Sequence, residues 1–401
     1  MSRHILALNC GSSSIKSALF DGERLDRGQT IRAENIGTTG ARLHVGKAQR
    51  SIEGEADLAD AVALLLEEWT RQSASIEAVV HRVVHGGARF AQPQLLDSAV
   101  LESLHELDRL APLHNPPALT AVRAAQAAYP DIPHIAVFDT AFHATLPPQA
   151  YEYALPAGVR ASCGIRRYGF HGLSHAQVVM NVADHVGRAA EELKIISCHL
   201  GNGASIAAIE QGRSVETSMG MTPLEGLIMG TRAGDIDPGV LLHLLQAGGM
   251  SVAELDAMLN RNSGLKGLTG TNDMREIERR AAQADEDCRR ALQIYAHRVR
   301  KYIGAYAAVM GGVDAIAFTG GVGENSAGTR LGCVHRLEYL GAVIDADRNR
   351  DVRLSAESPC VEISQTGSRT RLLVVRADEE LTMAREAARL LNWPSAASAS
   401  S

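Results

Sequence analysis

One stretch of this chain occurs twice. Residues 5–22, ILALNCGSSSIKSALFDG, and residues 195–212, IISCHLGNGASIAAIEQG, share an outline of apolar run, small polar loop, apolar run and turn. A shift of 190 positions lays Ile195 on Ile5, Gly201 on Gly11, Ala208 on Ala18 and Gly212 on Gly22. In the second copy Ile195, Ile196 and Cys198 lead into Gly201-Asn202-Gly203, and Ile206 to Ile209 lead out to Gln211-Gly212, the pattern of a β-hairpin. Glycines let a ligand approach the backbone, whose free N–H groups can face an anion. Taken alone, an ordinary tight hairpin would read the same way. The repeat changes the reading, because its spacing is too long for a solenoid unit and suits a duplicated α/β domain, each copy opening on its own phosphate-type hairpin. Two such hairpins would grip a nucleotide's phosphates in a cleft between the domains.

Composition limits what such a cleft could serve. A chain of 401 residues is too long for one comfortable core and suits two domains. With 45% hydrophobic and 21% charged residues it has the balance of a soluble globular enzyme. Its 46 acidic residues outnumber 40 lysines and arginines, giving a formal charge of −6. That argues against a nucleic-acid or anionic-membrane surface but leaves room for an anionic substrate held by a local arginine cluster. No apolar run approaches the ~18 residues of a membrane span, and the N-terminus enters a strand at once, without a secretory signal layout. Six cysteines (Cys10, Cys163, Cys198, Cys288, Cys333, Cys360) are scattered without a CxxC pair. They are expected to be reduced thiols of a cytoplasmic protein, outside any disulfide or zinc site.

In chain order, Ile5 to Leu8 reads as a buried strand, followed by the polar loop Asn9-Cys10-Gly11-Ser12-Ser13-Ser14 and Lys16 in the returning strand. An amide oxygen suits hydrated Mg²⁺, hydroxyls hold phosphate or water, and Lys16 adds charge; a serine-rich turn is the plainer alternative. Residues 56–73 form an amphipathic packing helix. From Val79 to Phe90, valines surround Arg82, and Gly86-Gly87 stops the strand. A guanidinium there faces a cleft or an anion, or is neutralised by an internal ion pair, since burying it unpaired is costly. His114 sits on a Pro-braced loop before a helix. Asp139 ends a buried strand, where open α/β sheets carry ligand groups and where an Asp also commonly caps a turn. His171, between glycines and beside Phe170, either donates to an oxyanion or is a structural histidine. Residues 218–239, around Arg232, form a long aperiodic loop of functional type, and helices are expected at 252–260 and 285–310. Residues 315–330 read as strand, glycine turn and a helix starting near Glu324-Asn325-Ser326, whose N–H groups would seat phosphate or ribose oxygens. The GK[ST] of a P-loop and a full GxGxxG are both absent there. A last strand and a closing helix follow, with Glu379 and Glu380 in its first turn as capping carboxylates by default. The tail from Pro394 is expected to be disordered.

The blocks NCGSSSIK, HRVVHGG, LAPLHNPP, VFDTAFH, YGFHGLSH, CHLGNGASI, SMGMTPLEGLIMGTRAGDIDP, FTGGVGENS and DEEL resemble, in order and over about residues 5–385, those of the acetate kinase family. The resemblance implies an α/β fold of duplicated actin-like (ribonuclease H-like) domains with mixed central sheets and an active-site cleft between them. Residues 1–140 plus 379–401 would form one domain and 141–378 the other. It also implies reversible transfer of the ATP γ-phosphoryl to acetate, giving acetyl phosphate and ADP, with Mg²⁺ or Mn²⁺, by a cytoplasmic homodimer. Matched by position, Asn9 and Glu379 would organise the metal, and Arg82 and Arg232 would flank the carboxylate and the transferring phosphoryl. Asp139 would orient that centre and His171 would hydrogen-bond the phosphoryl oxygens, with His114 close by. Arg82, Val84, Leu113, Phe170 and Pro223 match the acetate pocket. Asn202 and Gly203 match the phosphate loop, while Lys16, His199, Leu200, Gly201, Asp273, Met274, Arg275, Gly321, Val322, Gly323 and Asn325 match nucleotide-binding positions. His175 and Thr231 correspond to positions that help set the site. Met274 stands where the family pattern has an aromatic near adenine, and Cys10 replaces a small apolar residue, so base preference is less constrained than phosphate chemistry. A propionate or butyrate kinase would differ mainly in pocket volume. An actin-like ATPase without an acceptor would need neither the arginines nor the apolar lining.

Overall fold

The structure is a computed structural model that describes residues 3–11, 13–52, 56–72, 75–108, 111 and 114–393. The chain divides into two compact units, residues 1–142 with 378–401 and residues 143–377, against expected boundaries at 140/141 and 378/379. Each unit is built on one mixed sheet. In the first, β1 (His4–Cys10) and β2 (Ser14–Asp21) form a hairpin, and β3 (Arg27–Glu34), β4 (Arg42–Val45) and β5 (Ala48–Ser51) continue it as an antiparallel meander. On the other side of β1, β6 (Ile76–Val83) and β8 (His134–Phe138) are parallel to it, and the short β7 (Gln94–Leu95) closes the edge antiparallel to β8.

The second unit repeats this plan. There β9 (Lys194–Leu200), β10 (Ala204–Glu210) and β11 (Arg213–Thr217) form the antiparallel meander. The strands β12 (Ala315–Thr319) and β14 (Arg371–Val375) run parallel to β9, and β13 (Cys360–Glu362) closes the edge. The orders are β3-β2-β1-β6-β8-β7, with β5-β4 added outside, and β11-β10-β9-β12-β14-β13. The first strands of both units start 190 residues apart, as do the second strands, so the sequence offset is an offset of whole hairpins. Gln211 (φ 55°) and Gly212 (φ 72°) make the two-residue, left-handed turn that joins β10 to β11.

The central parallel strands are buried on both faces, which is why AIAFT and LLVV read as continuous apolar runs rather than alternations. In the first unit, the helix Leu58–Arg71 packs its apolar stripe on the meander, and Trp69 is buried with its indole N–H donating to Ser17 Oγ at 3.0 Å. The expected helices at 252–260 and 285–310 appear as Val252–Arg261 and Glu286–Val309. The helix expected to start near Glu324-Asn325-Ser326 is Ala327–Val334, capped by the Ser326 hydroxyl; a short helix that was not expected, Gly320–Asn325, precedes it immediately after β12. Gly320 has φ +78°, and a Cβ there would lie 2.8 Å from the Leu200 carbonyl oxygen, so only glycine turns the chain that sharply off the strand. The serine loop is also shorter than expected, because Asn9 and Cys10 belong to β1; Ser12, like Leu113 and the tail from Pro394, lies outside the described residues.

Candidate active site

In the first unit the predicted charged residues converge at the carboxyl ends of parallel strands, the ligand-binding end of such sheets. Asn9 lies near the end of β1, Arg82 near the end of β6, and Asp139 immediately after β8. Arg82 forms a two-pronged ion pair with Asp139, Nε to Oδ1 at 2.9 Å and Nη2 to Oδ2 at 2.5 Å. Its Nη1 donates to Asn9 Oδ1 at 3.1 Å, and Nε lies 3.7 Å from Glu379 Oε2. Burial by itself would depress the Arg82 pKa, but Asp139 and Glu379 outweigh it and hold the guanidinium firmly protonated. An internal ion pair therefore satisfies the Arg82 guanidinium. Asp139 is 1% exposed and engaged by the arginine fork.

Glu379 opens the helix Glu379–Leu390, but the cap is Asp378, whose carboxylate accepts from the Leu381 N–H at 3.0 Å and pairs with Arg27. This corrects the capping assignment. With the cap supplied by Asp378, Glu379 accepts from Asn9 Nδ2 at 3.0 Å and Glu380 from the same nitrogen at 3.4 Å. Lys16 is exposed on β2 directly across from Asn9. Val84 is buried just beyond β6, and His114 precedes the helix Asn115–Ala128 without capping it. Cys10 is a buried core thiol with its pKa pushed up to about 12 by burial, so it belongs to packing rather than site chemistry. Sequence reasoning missed Asn115. It is fully buried, its Oδ1 accepting from the His85 N–H at 3.0 Å and its Nδ2 donating to the His85 carbonyl at 3.1 Å, which fixes the loop after Arg82 and Val84. The signal was a polar residue between a histidine and two prolines at a helix start.

In the second unit the hairpin loop Gly201-Asn202-Gly203 sits beside the Gly320 turn at the carboxyl ends of β9 and β12. His171 holds a left-handed backbone (φ 59°) before the helix Gly172–Val186, a costly conformation for a residue with a side chain and one concentrated at functional sites. Its ring stacks on His199 at 4.2 Å, and its Cε1–Nε2 edge lies 3.4 Å from where a Cβ on Gly203 would be. Arg232 Nη1 would lie 3.8 Å from the same Cβ. Arg232 donates to the Pro223 carbonyl at 3.0 Å, and no carboxylate lies within ion-pairing distance of it among the described residues. Burial lowers its pKa, with no neighbouring charge to oppose the shift. Phe170 is buried and its carbonyl accepts from His143 Nε2.

The loop that carries Arg232 is anchored on several sides. Asn202 accepts on its carbonyl from the Gly230 N–H at 2.9 Å and on Oδ1 from Asn272 Nδ2 at 2.9 Å, and a Cβ on Gly230 would strike Asn202 Oδ1. Thr231 Oγ1 donates to the Asn260 carbonyl. Asp235 accepts from the Gly226 N–H and from Tyr302, and pairs with Arg298, tying the loop to the helix Glu286–Val309.

A cavity of about 630 Å³ gathers Gly201, Asn202, Asp273, Met274, Arg275, Gly321, Val322 and Asn325, predicted nucleotide residues from three separate stretches. Asp273 caps the helix Met274–Ala282 and pairs with Arg275, and Asn325 Nδ2 donates to the Gly321 carbonyl. Leu200 and Gly323 are buried in packing instead, and neither they nor His199, Gly203 and Lys16 line this cavity. A larger cavity of about 1040 Å³, mostly between the helices Glu286–Val309 and Ala327–Val334, contains only Asn325 of the predicted residues.

Two α/β units with the same mixed-sheet strand order, each with polar groups at the ends of its parallel strands, define the duplicated actin-like, ribonuclease H-like class of fold. Residues 4–385 match the model of the acetokinase family, and the chain belongs to that family. It is 48% identical to acetate kinase of Streptomyces coelicolor over 400 residues, covering 96% of each chain. The crystal structure of Porphyromonas gingivalis acetate kinase superposes with a TM-score of 0.89 at 39% identity, covering 97% of this chain and 100% of that one. A propionate kinase from Francisella tularensis superposes at 0.90 with 38% identity, covering 96% and 99%. Among the described residues no helix is long and apolar enough to cross a membrane.

Proposed function

We propose that this protein transfers the γ-phosphoryl group of ATP reversibly to acetate, giving acetyl phosphate and ADP. The observation that carries the reading is Arg232, a partly buried guanidinium with no acidic partner among the described residues, set against Gly203 and next to His171. Burial costs such a charge, and an anion in front of it would offset that cost. Arg82 differs, being already neutralised by Asp139 and therefore held rigid. Phosphoryl transfer asks a protein for alignment and charge neutralisation rather than covalent chemistry, which is what this residue set supplies.

Acetate is ionised at neutral pH, so no base is needed to create the nucleophile. One carboxylate oxygen attacks the γ-phosphorus, the bond from that phosphorus to the bridging oxygen of the β-phosphate breaks, and ADP leaves with the electron pair. Arg232 neutralises charge on the anionic reactants, and His171 donates to a phosphoryl oxygen. Asp139 positions Arg82 rather than accepting a proton, since ionised acetate has none to give. Val84 in the first unit, and Phe170 and Pro223 in the second, are the residues the family resemblance assigns to the methyl group, and the 630 Å³ cavity takes the nucleoside.

Mg²⁺ fits the donors present. Glu379 is a carboxylate that accepts from Asn9 Nδ2 at 3.0 Å, while Asn9 Oδ1 accepts from Arg82, so Glu379 offers the anionic oxygen and Asn9 would meet the ion through its waters; Mg²⁺ typically takes one or two protein oxygens and keeps its waters and the substrate phosphates. Bound there, it would neutralise phosphate charge; Asn9 and Glu379 would hold it. By the same family reasoning the enzyme works as a cytoplasmic homodimer. The test is acetate-dependent ADP release with the product trapped by hydroxylamine as acetyl hydroxamate; ATP turnover indifferent to acetate would reject the reading. A propionate kinase is the second reading, favoured by the Francisella superposition, and would show as kcat/KM higher for propionate than for acetate.

A further inference from the structure

Behind His171 the second unit contains a chain of hydroxyls and imidazoles. His171 Nδ1 lies 2.9 Å from Ser205 Oγ; Ser205 Oγ lies 2.8 Å from His175 Nε2; and His175 Nδ1 lies 2.8 Å from Ser197 Oγ. Ser197, Ser205 and His175 are all fully buried. The two serines stand on the adjacent strands β9 and β10, and His175 lies one helical turn beyond His171, so two hairpin strands and one helix hold the chain in line.

Each serine has one hydrogen to give, and each neutral imidazole has one N–H and one acceptor nitrogen. These limits make the chain directional: once one hydrogen is assigned, all the others follow. Ser197 makes the assignment. Among the described residues His175 is the hydrogen-bond partner of its hydroxyl, so a buried O–H that is to be satisfied donates to His175 Nδ1. His175 then carries its proton on Nε2 and donates to Ser205, and Ser205 donates to His171 Nδ1. The reverse direction would leave the Ser197 hydrogen buried and unused. Burial, followed by the neighbouring His143 and His199, holds the His175 pKa well below the ordinary value, which keeps the middle of the chain neutral.

We infer that Ser205, set by His175 and Ser197, is a positioning residue that fixes His171 in the tautomer with its proton on Nε2, the nitrogen on the ring edge that faces Gly203 and Arg232. The inference rests on the proposed kinase reading for its purpose, since a donor at that edge serves a phosphoryl oxygen. The tautomer itself does not depend on that reading. Nothing at position 205 touches substrate in this arrangement; it acts through the imidazole, as outer partners of metal-ligating histidines do, where their loss costs about 10–100-fold.

Long-range ¹H–¹⁵N correlation spectra of the full chain, labelled in histidine, read the tautomer directly. The expected result is His171 protonated on Nε2, with that assignment weakened in Ser205→Ala and in Ser197→Ala, which never contacts His171. In steady-state assays Ser205→Ala should lower kcat about 10-fold, in the range expected for such outer partners, with KM for ATP within about 2-fold. In a His171→Ala background the same substitution should cost nothing further. A His171 proton on Nδ1 in the wild-type spectrum, or equal losses from Ser205→Ala in both backgrounds, overturns the inference. Should Ser205→Ala fail to fold, the wild-type spectrum and Ser197→Ala decide. Should the protein form no acetyl phosphate, the spectrum still decides, so the failure of the kinase reading and of this one are told apart.

Discussion

Replacing Arg82 by alanine separates what that residue does for stability from what it does for chemistry. The substitution removes both prongs of the contact to Asp139, the bond to Asn9 and the charge 3.7 Å from Glu379. The Asp139 side chain is 1% exposed and that of Arg82 17%, so solvent replaces little of what is lost. Breaking a buried ion pair from one side costs about 3–5 kcal/mol, because the remaining charge stays buried without its counter-ion. For a unit of this size that lowers the melting temperature by about 10 °C. Both tryptophans of the chain, Trp69 and Trp393, lie in the unit that contains Arg82, so fluorescence-monitored unfolding reports that unit alone. Adding Asp139→Asn should return about 2 kcal/mol of stability, because the stranded charge is gone, while leaving activity at the single-mutant level. A single mutant within about 1 kcal/mol of wild type, or a double mutant whose cost is the sum of the two singles, would refute the reasoning.

Other expectations follow from the same geometry. Arg232→Ala should lower kcat by roughly 10²-fold or more with a smaller change in KM for ATP, in initial-rate assays at saturating acetate, since it removes a preorganised charge from the reacting centre. Val84→Ala should raise the propionate to acetate ratio of kcat/KM by an amount bounded at about 1–3 kcal/mol; an unchanged ratio means the methyl pocket is elsewhere. Asn115→Ala strands the N–H and the carbonyl of His85 and should destabilise the first unit by about 2–4 kcal/mol, read by urea titration of tryptophan fluorescence. His81, His143 and His175 are buried and held neutral, chiefly by desolvation, with His143 lowered to about 4. Unfolded histidines bind protons below about pH 6.5 while these folded ones do not, so stability falls as pH drops from there, by about 3 kcal/mol from His143 alone at pH 4. A flat stability profile between pH 6.5 and 4 would contradict their neutral burial.

Much of this architecture was legible because it depends on local rules. The repeat at 190 positions was visible in four identities because glycine and small apolar residues are constrained where a hairpin turns and where strands pack, and the structure turns that offset into two sheets of one order. The gathering of Gly201, Asn202, Asp273, Arg275, Gly321 and Asn325 around one cavity was accessible only through the family resemblance, since nothing in their spacing brings the three stretches together. Three features were missed for distinct reasons. The Gly320 helix start depends on a close approach to Leu200, which is 120 positions earlier and invisible in a local window. Asp378 as the cap was readable from Asp preceding two glutamates, whereas other work for Glu379 came from the family resemblance alone. The line from Ser197 to His171 needs the register of β9 against β10, because serines in apolar strands give no sign of where their hydroxyls point.

The claim on which the account rests is that an acetate oxygen becomes bonded to the transferred phosphorus. Acetate labelled with ¹⁸O in both carboxylate oxygens, incubated with ATP, magnesium and the enzyme, tests it in one ³¹P spectrum of the acetyl phosphate formed. Direct transfer predicts a phosphorus resonance displaced by a single ¹⁸O. Acetyl phosphate without the displacement, or no acetyl phosphate at all, would contradict it.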